Sequence, residues 1–447
     1  MHRRAFLKTA TSTVGVIAWP SAKPAAATPS THTETSFLLS KHGCGRATGY
    51  AETNKIITRD GKTHVAWLDS VDKAFRVRIR TRDRKTATWS MTYDLGEAYD
   101  NHGGPALTID REGYLHCVSY PHHHPFRYRR STRPNDASQW DDVIEVGERC
   151  TYPTLVCARD DTLLLTCRQS DRENPWRMNL YTKPPGKDWQ GPRAILRSQH
   201  TGYSHFQEAL AWSPDHRTLH MSCRIYSGKA RHGHTVGYLR SRDLGVTWER
   251  ADGQRATLPA TAESISVIAS DHSTGNPGLR CGAIAVDPAG VPHVLYSSAA
   301  TQPSEAWIAS LDASSTWRRR ALRDVIASRW PGRGLTLPGG LTIGRDGRIY
   351  IALTLINPPA TDDETVWGHP SSEVMWLESA DAGKTFTSRL VSQRDPNIAH
   401  WLPNLERPTG HNQIDVPGLI YTAGTKGENN KQIVANDVYW YDAARAT

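Results

Sequence analysis

The stretch Pro105-Ala-Leu-Thr-Ile-Asp-Arg-Glu-Gly-Tyr-Leu-His-Cys-Val-Ser-Tyr120 carries the pattern that decides the fold. Two short, mostly apolar segments lie on either side of the turn Asp110-Arg-Glu-Gly113. Short apolar runs that flank an Asp/Gly turn are typical of two antiparallel strands. The stretch therefore predicts a β-hairpin.

The same pattern recurs along the chain at intervals of roughly 50 to 70 residues, which is the spacing of large propeller blades. No helical periodicity interrupts it, so α/β and helical-bundle folds are excluded. We predict an all-β chain that forms a seven-bladed β-propeller, with six or eight blades left open because the patterns at the two ends are weak. The copies span residues 55–67, 105–120, 153–168, 209–226, 282–296, 339–355 and, in a degraded form, 411–423.

An aromatic residue follows a turn in most of the repeat units, and two of these turns have Asp-box sequences. They are Ser241-Arg-Asp-Leu-Gly-Val-Thr-Trp248 and Ser379-Ala-Asp-Ala-Gly-Lys-Thr-Phe386. The Asp and Gly form the hairpin and the aromatic ring packs beneath it, so we expect an architectural role. We also expect an N-terminal strand to complete the last blade, because ring closure removes exposed strand edges.

The N-terminus carries an export pattern. His2-Arg-Arg-Ala-Phe-Leu-Lys8 is a twin-arginine motif, and an apolar run at 9–19 and small residues at 24–27 follow it. The apolar run is too short to span a bilayer. We predict a Tat signal peptide at residues 1–27 and a single propeller domain at 28–447, exported to the periplasm or secreted.

The net charge indicates what kind of partner the protein binds, and the cysteine content indicates whether disulfides stabilise the fold. The formal net charge of +9 over 447 residues favours an anionic partner, which a basic protein attracts over long range. The seven cysteines are odd in number and form no C-x-x-C motif, which argues against a disulfide framework. Buried free thiols are therefore expected.

Histidines cluster around the second copy of the repeat. His102 precedes its first strand, and His122, His123 and His124 follow its second strand. Two antiparallel strands joined by a short turn return the chain to its starting edge. We therefore expect His102 to lie close to the triplet on one face of the propeller.

The next two copies should add tyrosines and arginines to the same face. Tyr152 lies at the start of the third copy, and Arg168 lies at its end, after an otherwise apolar strand. Because a buried guanidinium is costly unless it is paired, we expect an anionic group to bind Arg168. In the fourth copy, Arg224 is equivalent to Arg168. The side chains that the fourth copy contributes at its start and end are Tyr203, His205, Arg224 and Tyr226.

These groups are the ones that β-elimination on a uronic acid requires. Arginine neutralises the carboxylate, and histidine and tyrosine remove the C5 proton and protonate the leaving O4 oxygen. A glycosidase would usually place two acidic residues in its cleft, whereas most Asp residues here fall in turns. Two other functions stay open as alternatives, a sialidase-like hydrolase and a non-catalytic propeller that binds anionic glycans. A metal site formed by His102 and two histidines of the triplet is a further alternative.

Residues 100–110 and 113–128 resemble the BNR-type seven-bladed propeller polysaccharide lyases, whose best-known members are ulvan lyases. The resemblance implies cleavage of a sulfated, uronate-containing polysaccharide of the ulvan type. By resemblance, His102 and either His122 or His123 match the catalytic histidine pair, and we take His123 as the second member. Tyr152 and Arg168 complete the catalytic set, and His122, Tyr203, Arg224 and Tyr226 are assigned to substrate binding.

The resemblance also bears on cofactors and on substrate range. Some relatives bind a structural metal ion through His and Cys side chains. By resemblance, His205, Cys223 and Cys281 match such a site, and these ligand types suit zinc. The alternative is that the two cysteines are ordinary buried thiols. No organic cofactor is expected. Related propellers resemble rhamnosidases and rhamnose–glucuronate lyases that act on plant gums, so the exact glycan stays open. We expect a monomer whose partner is an anionic polysaccharide, not nucleic acid or a membrane.

Overall fold

The computed structural model describes residues 36–227, 232–271, 278–301, 303–357, 366–392 and 395–445. The predicted export signal at 1–27 lies outside these residues. Within the described part of the chain the regular structure is almost entirely β, with 28 strands, one short α-helix (α1, Arg323–Ile326) and one 3-10 turn at Ala443–Arg445. No helix among the described residues is long and apolar enough to cross a bilayer.

The described strands pair antiparallel into five sheets. These make up seven consecutive blades, because the two largest sheets each contain two neighbouring blades. Strand β1 is Ser36–Gly43. Blade 1 contains β2 to β5, which are Ile56–Arg59, Lys62–Val71, Ala74–Asp83 and Tyr93–Ala98. Blade 2 contains β6 to β8 and the first half of β9, which are Ala106–Ile109, Leu115–Ser119, His124–Arg130 and Ile144–Cys157. Blade 3 contains the second half of β9 and β10 to β12, which are Leu163–Gln169, Pro175–Lys183 and Gln190–Thr201.

The remaining blades follow in the same order along the chain. Blade 4 contains β13 to β17, which are Ser204–Phe206, Ala209–Trp212, Leu219–Ser227, His232–Ser241 and Ser266–Asp271. Blade 5 contains β18 to β21, which are Arg280–Val286, Pro292–Ser298, Glu305–Leu311 and Trp317–Ala321. Blade 6 contains β22 to β25, which are Gly334–Ile343, Ile349–Ile356, Glu373–Ser379 and Thr387–Leu390. Blade 7 contains β26 to β28, which are His400–Leu405, Leu419–Ala423 and Asn436–Tyr441. The predicted seven-bladed β-propeller is confirmed.

The first described strand completes the last blade. Strand β1 pairs antiparallel with β28, from Ser36 opposite Tyr441 to Gly43 opposite Asn436. The pairing gives blade 7 its fourth strand and covers the edge of β28, because a strand edge left open presents unpaired N–H and C=O groups. The expectation of an N-terminal closing strand is confirmed.

The Asp-boxes have the contacts expected of architectural turns. Oδ1 of Asp243 accepts hydrogen bonds from the backbone N–H of Thr247 at 2.8 Å and from the Ser241 hydroxyl at 2.9 Å. Trp248 is fully buried beneath the turn. The second box repeats these contacts around Asp381. Both turns therefore anchor the outer parts of their blades.

Apolar side chains from neighbouring blades form the core. Trp67, Trp248, Trp376 and Trp401 are among the largest fully buried side chains. All seven cysteines are buried free thiols, so the expected absence of a disulfide framework is confirmed for them. This rigid stack fixes the ends of the inner strands, where the candidate site lies.

Candidate active site

A cleft of about 700 Å³ lies where several inner strands begin or end. Blades 1 to 5 contribute side chains from the segments before or after these strands, and loops of blades 6 and 7 close the other side. The described residues that line it are Arg46, Tyr50, His102, His122, Tyr152, Arg168, Tyr203, His205, Gln207, Arg224, Tyr226, Arg280, Trp367, Lys426 and Asn430.

Two histidines meet at the centre of one wall. His102 precedes β6 and His122 follows β7, and these strands pair antiparallel from Ala106 opposite Val118. The imidazole rings are stacked, with centroids 3.9 Å apart and an interplanar angle of 24°. The β6–β7 hairpin therefore brings His102 and His122 together, as expected from two antiparallel strands that return the chain to its starting edge.

Asp100 holds both imidazoles. Its Oδ2 lies 2.6 Å from Nδ1 of His122, and its Oδ1 lies 3.0 Å from Nδ1 of His102 and 2.8 Å from the backbone N of His102. Burial alone would raise the pKa of Asp100, but the hydrogen bonds from the two histidines hold that pKa well below its usual range. The ionised carboxylate therefore accepts an N–H from each Nδ1. In the neutral form of each ring, the lone pair is then on Nε2.

The electrostatics of His102 keep it neutral. Burial lowers the pKa of His102 to about 3, although the hydrogen bond to Asp100 works in the opposite direction. Its Nε2 accepts a hydrogen bond from the Arg46 guanidinium, which also donates to the hydroxyl of Tyr50. A neutral imidazole with a lone pair at the cleft can act as a proton acceptor.

Two tyrosines stand opposite the histidines. The rings of Tyr50 and Tyr152 contact edge to face, with centroids 4.8 Å apart, and Tyr152 lies 5.9 Å from the ring of His102. Burial raises the pKa of both phenols, so both are protonated at neutral pH and can donate. Tyr152 has a φ of 59°, a left-handed conformation that costs on the order of 1 kcal/mol or more for a non-glycine residue and clusters at functional sites.

Arg168 is a buried cation without an acceptor. Its side chain is 1% exposed, and none of the described residues offers a hydrogen-bond acceptor to its Nε, Nη1 or Nη2. The guanidinium lies over the rings of Tyr152, Trp176 and Tyr203, at 4.6, 4.9 and 5.5 Å from their centroids. Aromatic stacking stabilises the cation only in part, so the geometry suits an incoming anion.

The charge of the cleft has one sign. Five of the lining side chains are cationic, and none of the described lining residues is Asp or Glu. The cations are Arg46, Arg168, Arg224, Arg280 and Lys426. A wall of this kind attracts carboxylate and sulfate groups and disfavours a pair of catalytic carboxylates.

The other two members of the histidine triplet do not line the cleft. His123 lies behind His122, where its Nδ1 is 2.6 Å from Oγ of Ser170 and its ring packs against Trp176. His124 lies at the start of β8, with its ring 4.2 Å from that of Tyr99. Of the two histidines considered as the partner of His102, the structure therefore places His122, and not His123, in the cleft. Three successive residues of an extended segment cannot all point to the same side.

The predicted binding residues reach the cleft, but the predicted metal ligands do not converge. Tyr203, Arg224 and Tyr226 line the cleft as expected, and His205 packs its ring 4.5 Å from Tyr152. The described residues contain two groups of potential metal ligands in which the ligand atoms of at least three residues lie within 4.8 Å of one another. The set of His205, Cys223 and Cys281 is neither of these groups. The ligand atoms of these three residues therefore do not all lie within 4.8 Å of one another in this structure, and a zinc ion bound by them stays a prediction.

One of the two convergent groups belongs to the cleft itself. It comprises Asp100, His102 and His122, which differs from the open alternative of His102 with two members of the triplet. Its carboxylate already pairs with both Nδ1 atoms. These hydrogen bonds orient both imidazole rings.

Several lining residues escaped the sequence-based prediction. Arg46 and Tyr50 lie in the segment before β2 of blade 1, the position equivalent to His102 in blade 2 and Tyr152 in blade 3. Extending the equivalence to the first blade would have found them. Loops of blades 6 and 7 supply Trp367, Lys426 and Asn430, for which no repeat position gave a signal. Gln207 lies between β13 and β14, and Arg280 begins β18.

Comparison with known proteins agrees with this architecture. The chain is 20% identical to the PL25 ulvan lyase of Pseudoalteromonas sp. (strain PLSV), over 88% of this chain and 87% of that protein. It is 21% identical to the ulvan lyase of Alteromonas sp. (strain LOR), over 60% of this chain and 62% of that protein. The chain thus spans just under two thirds of the second relative.

A solved structure shares the fold. The polysaccharide lyase PL25 ulvan lyase bound to -[GlcA(1-4)Rha3S]- superposes with a TM-score of 0.68 at 15% identity, over 90% of this chain and 94% of that one. The profile of a family described as "BNR repeat-containing family member" matches residues 62–325. Because this match covers more than half of the chain, the protein belongs to the BNR repeat-containing family.

Proposed function

We propose that this protein is a polysaccharide lyase that cleaves a sulfated, uronate-containing polysaccharide of the ulvan type by β-elimination. The single observation that carries the proposal is Arg168, a buried guanidinium to which none of the described residues offers an acceptor, facing a cleft lined by histidine and tyrosine side chains that can accept and donate protons. The names of the relatives and the glycan in the related structure support the choice of substrate.

The first role is to neutralise the uronate. Arg168 pairs with the C6 carboxylate, as planar guanidinium groups do with carboxylates. Withdrawal of charge from the carboxylate makes the neighbouring C5 proton more acidic. Because Arg168 is already desolvated and held by three aromatic rings, the carboxylate meets a preorganised cation.

The second role is to move the protons. The Asp100-bound histidine pair takes the C5 proton, and Nε2 of His122 is the nitrogen open to the cleft, because Nε2 of His102 accepts from Arg46. The electron pair of the C5–H bond forms the C4–C5 double bond, and the C4–O4 bond breaks. Tyr152 donates its phenolic proton to the leaving O4, since its raised pKa keeps it protonated.

The remaining cations select an anionic chain. The guanidinium carbons of Arg46 and Arg280 lie 5.4 and 5.1 Å from the ring centroid of Trp367, and Lys426 adds a further positive charge to the lining. Sulfate esters on neighbouring sugars would bind these groups. The same wall argues against the hydrolase alternatives, which need carboxylates that the described lining does not supply.

The test follows product formation from ulvan by the ultraviolet absorbance of the unsaturated uronate and, in parallel, by reducing ends. We expect both signals to rise together with ulvan and neither with carboxyl-reduced ulvan. Arg168→Met should abolish both, whereas Arg177→Met, an exposed arginine of the same blade, should not change them. Reducing ends without absorbance would indicate a hydrolase, and binding without either signal would indicate a binding module; each result overturns the proposal.

We also propose that the protein is exported by the Tat pathway, on the basis of the twin-arginine motif at Arg3 and Arg4. When expressed in a Tat-competent bacterium, the wild-type chain should appear outside the cytoplasm. Replacement of both arginines by lysine should retain it inside in a folded, active form. Export of the double variant at wild-type levels would exclude this route.

A further inference from the structure

A second group of potential metal ligands lies at the other end of the blades from the cleft. It comprises Cys157 at the end of β9, Asp161 in the turn between β9 and β10, and His411 in the loop between β26 and β27. Their ligand atoms lie within 4.8 Å of one another. Cys157 follows Tyr152 by five residues in the same strand, a distance of roughly 16 Å along an extended chain, so this group is separate from the candidate active site.

We propose that Cys157, Asp161 and His411 bind a structural zinc ion. A thiolate, an imidazole and a carboxylate are the side chains that zinc prefers, and ligands at 2.0–2.3 Å from a common ion lie roughly 3 to 4 Å apart. Nε2 of His411 is 3.3 Å from Oδ1 of Asp161, which already has this spacing. The thiolate and the carboxylate balance the charge of the ion.

A second histidine stands beside the group. The ring of His216, in the turn between β14 and β15, lies 5.6 Å from the ring of His411. Its Nδ1 is buried, and none of the described residues forms a hydrogen bond with it. His216 is therefore placed to complete a four-coordinate site after a small side-chain movement, and water is the alternative fourth ligand.

The backbone holds His411 in place against blades 2 and 3. The backbone N–H of Cys157 donates to the carbonyl of Thr409 at 2.7 Å, and that of His411 donates to the carbonyl of Ile109 at 3.0 Å. A Cβ at Gly410 would lie 2.4 Å from the carbonyl oxygen of Ile109, so only glycine permits this approach. An ion at this point would tie a loop of blade 7 to a turn of blade 3, and with His216 to blade 4.

The backbone N–H of Arg111 donates to Oδ1 of Asp161 at 2.9 Å, which leaves Oδ2 available to the ion, and the other competing contacts at the group are weaker. The thiol of Cys157 reaches the carbonyl of Ala158 at 3.6 Å, and Nε2 of His411 reaches the same carbonyl at 3.1 Å. The Arg111 guanidinium is 3.9 Å from Asp161, and its side chain is more than half exposed. The side chains of Asp161 and His411 are 27% and 17% exposed, which leaves a path for the ion.

The experiment measures zinc content and compares matched cysteine variants. Wild-type protein, loaded with zinc and dialysed, should retain about one zinc ion per chain by elemental analysis. Cys157→Ala should lose it, whereas Cys223→Ala, which removes an equally buried thiol from the ligand set that sequence reasoning favoured, should keep it. Zinc retained by the Cys157 variant and lost by the Cys223 variant would overturn the proposal, as would a wild-type chain that retains none.

A second measurement protects the test against a variant that fails to fold. Cobalt substituted for zinc in the wild-type protein should show a thiolate-to-cobalt charge-transfer band, and His411→Gln should weaken or remove it. Added zinc should raise the Tm of the wild-type protein but not that of His411→Gln. An unchanged band and an equal rise in Tm in this variant would exclude His411 as a ligand. These readouts do not depend on lyase activity, so they stand apart from the proposed function.

Discussion

Oδ2 of Asp100 lies 2.6 Å from Nδ1 of His122, and the other oxygen of the same carboxylate holds His102. One buried anion thus fixes the tautomer of two stacked imidazoles and turns both Nε2 atoms away from itself. Asp100 does not line the cleft. It is therefore a positioning residue, whose effect on the reaction passes through the two histidines.

Asp100→Asn should separate positioning from binding. The amide can donate to one Nδ1, which moves the proton of that ring to Nε2 and removes the lone pair needed at the cleft. We expect kcat to fall about 10²- to 10⁴-fold, the range for loss of a general base, with little change in KM.

Asp94→Asn is the matched control for that variant. Asp94 pairs with Arg76 and Arg78 on blade 1, away from the cleft. Its variant should retain the wild-type rate and pH profile. Equal activity of wild-type and Asp100→Asn protein would contradict the role assigned to Asp100.

Arg168→Met should lower activity without lowering stability. A desolvated cation without an acceptor is a cost to the folded state, so the variant should keep or raise the Tm while ulvan cleavage falls at least about 100-fold. Arg168→Lys should also lose most activity, since an ammonium cannot stack between the rings or pair in a planar fork. A Tm that falls sharply with Arg168→Met would show that the guanidinium has a structural partner.

Repetition explains why the fold could be predicted from the sequence. Each of the seven copies predicts the same β-hairpin, and the Asp-boxes mark the outer turns of two blades. Because the copies all predict the same local structure, the repeat identifies the propeller although each single pattern is weak. Because paired antiparallel strands return the chain to its starting edge, His102, Tyr152 and Arg168 were predicted to lie on one face. In the structure all three line the same cleft. That inference needed only the antiparallel pairing of adjacent strands.

The parts that could not be predicted depend on side-chain direction and on distant loops. The sequence Pro-His-His-His does not reveal that His123 has a φ of 63° and turns toward Ser170. The zinc set of His205, Cys223 and Cys281 assumed that equivalent positions of blades 4 and 5 converge, whereas the three ligand atoms do not all lie within 4.8 Å of one another. The approach of His411 to Cys157 joins segments about half the chain apart, which no local pattern records.

His64 should make the fold sensitive to acid. Its Nδ1 lies 2.9 Å from Oγ1 of Thr81 and its Nε2 lies 2.9 Å from Oδ1 of Asn135, and burial lowers the pKa of His64 to about 4. The unfolded chain has a higher histidine pKa, about 6.5. The stabilisation is therefore fully present above that value and is lost as the pH falls toward 4, by at most about 3 kcal/mol.

His64→Gln removes this titration. Urea unfolding at pH 7 and at pH 4.5 should show a smaller loss of unfolding free energy in the variant than in the wild type. His42→Gln, which replaces an exposed histidine, should behave as the wild type does. Parallel losses in all three proteins would mean that His64 is not the group that titrates.

Asp243→Ala should destabilise the protein and leave catalysis intact. The carboxylate accepts from the backbone N–H and the hydroxyl of Thr247 and from the hydroxyl of Ser241, and its removal leaves these donors to water. A loss of about 1 to 2 kcal/mol in unfolding free energy is expected, with kcat and KM unchanged below the melting range. A selective fall in kcat would give the Asp-box a role in the reaction.

His122→Ala and His123→Ala should differ, although the two residues are adjacent. His122 lines the cleft and binds Asp100, so its removal should lower kcat about 10²- to 10⁴-fold with little change in Tm. His123 contacts Ser170 and Trp176 behind it, so its removal should lower Tm and reduce kcat by less than about tenfold, since truncation there loses packing and one hydrogen bond. Steady-state rates on ulvan together with thermal unfolding distinguish the two outcomes. A larger catalytic loss in His123→Ala than in His122→Ala would return the base to His123 and would mean that the loop rearranges when the polysaccharide binds.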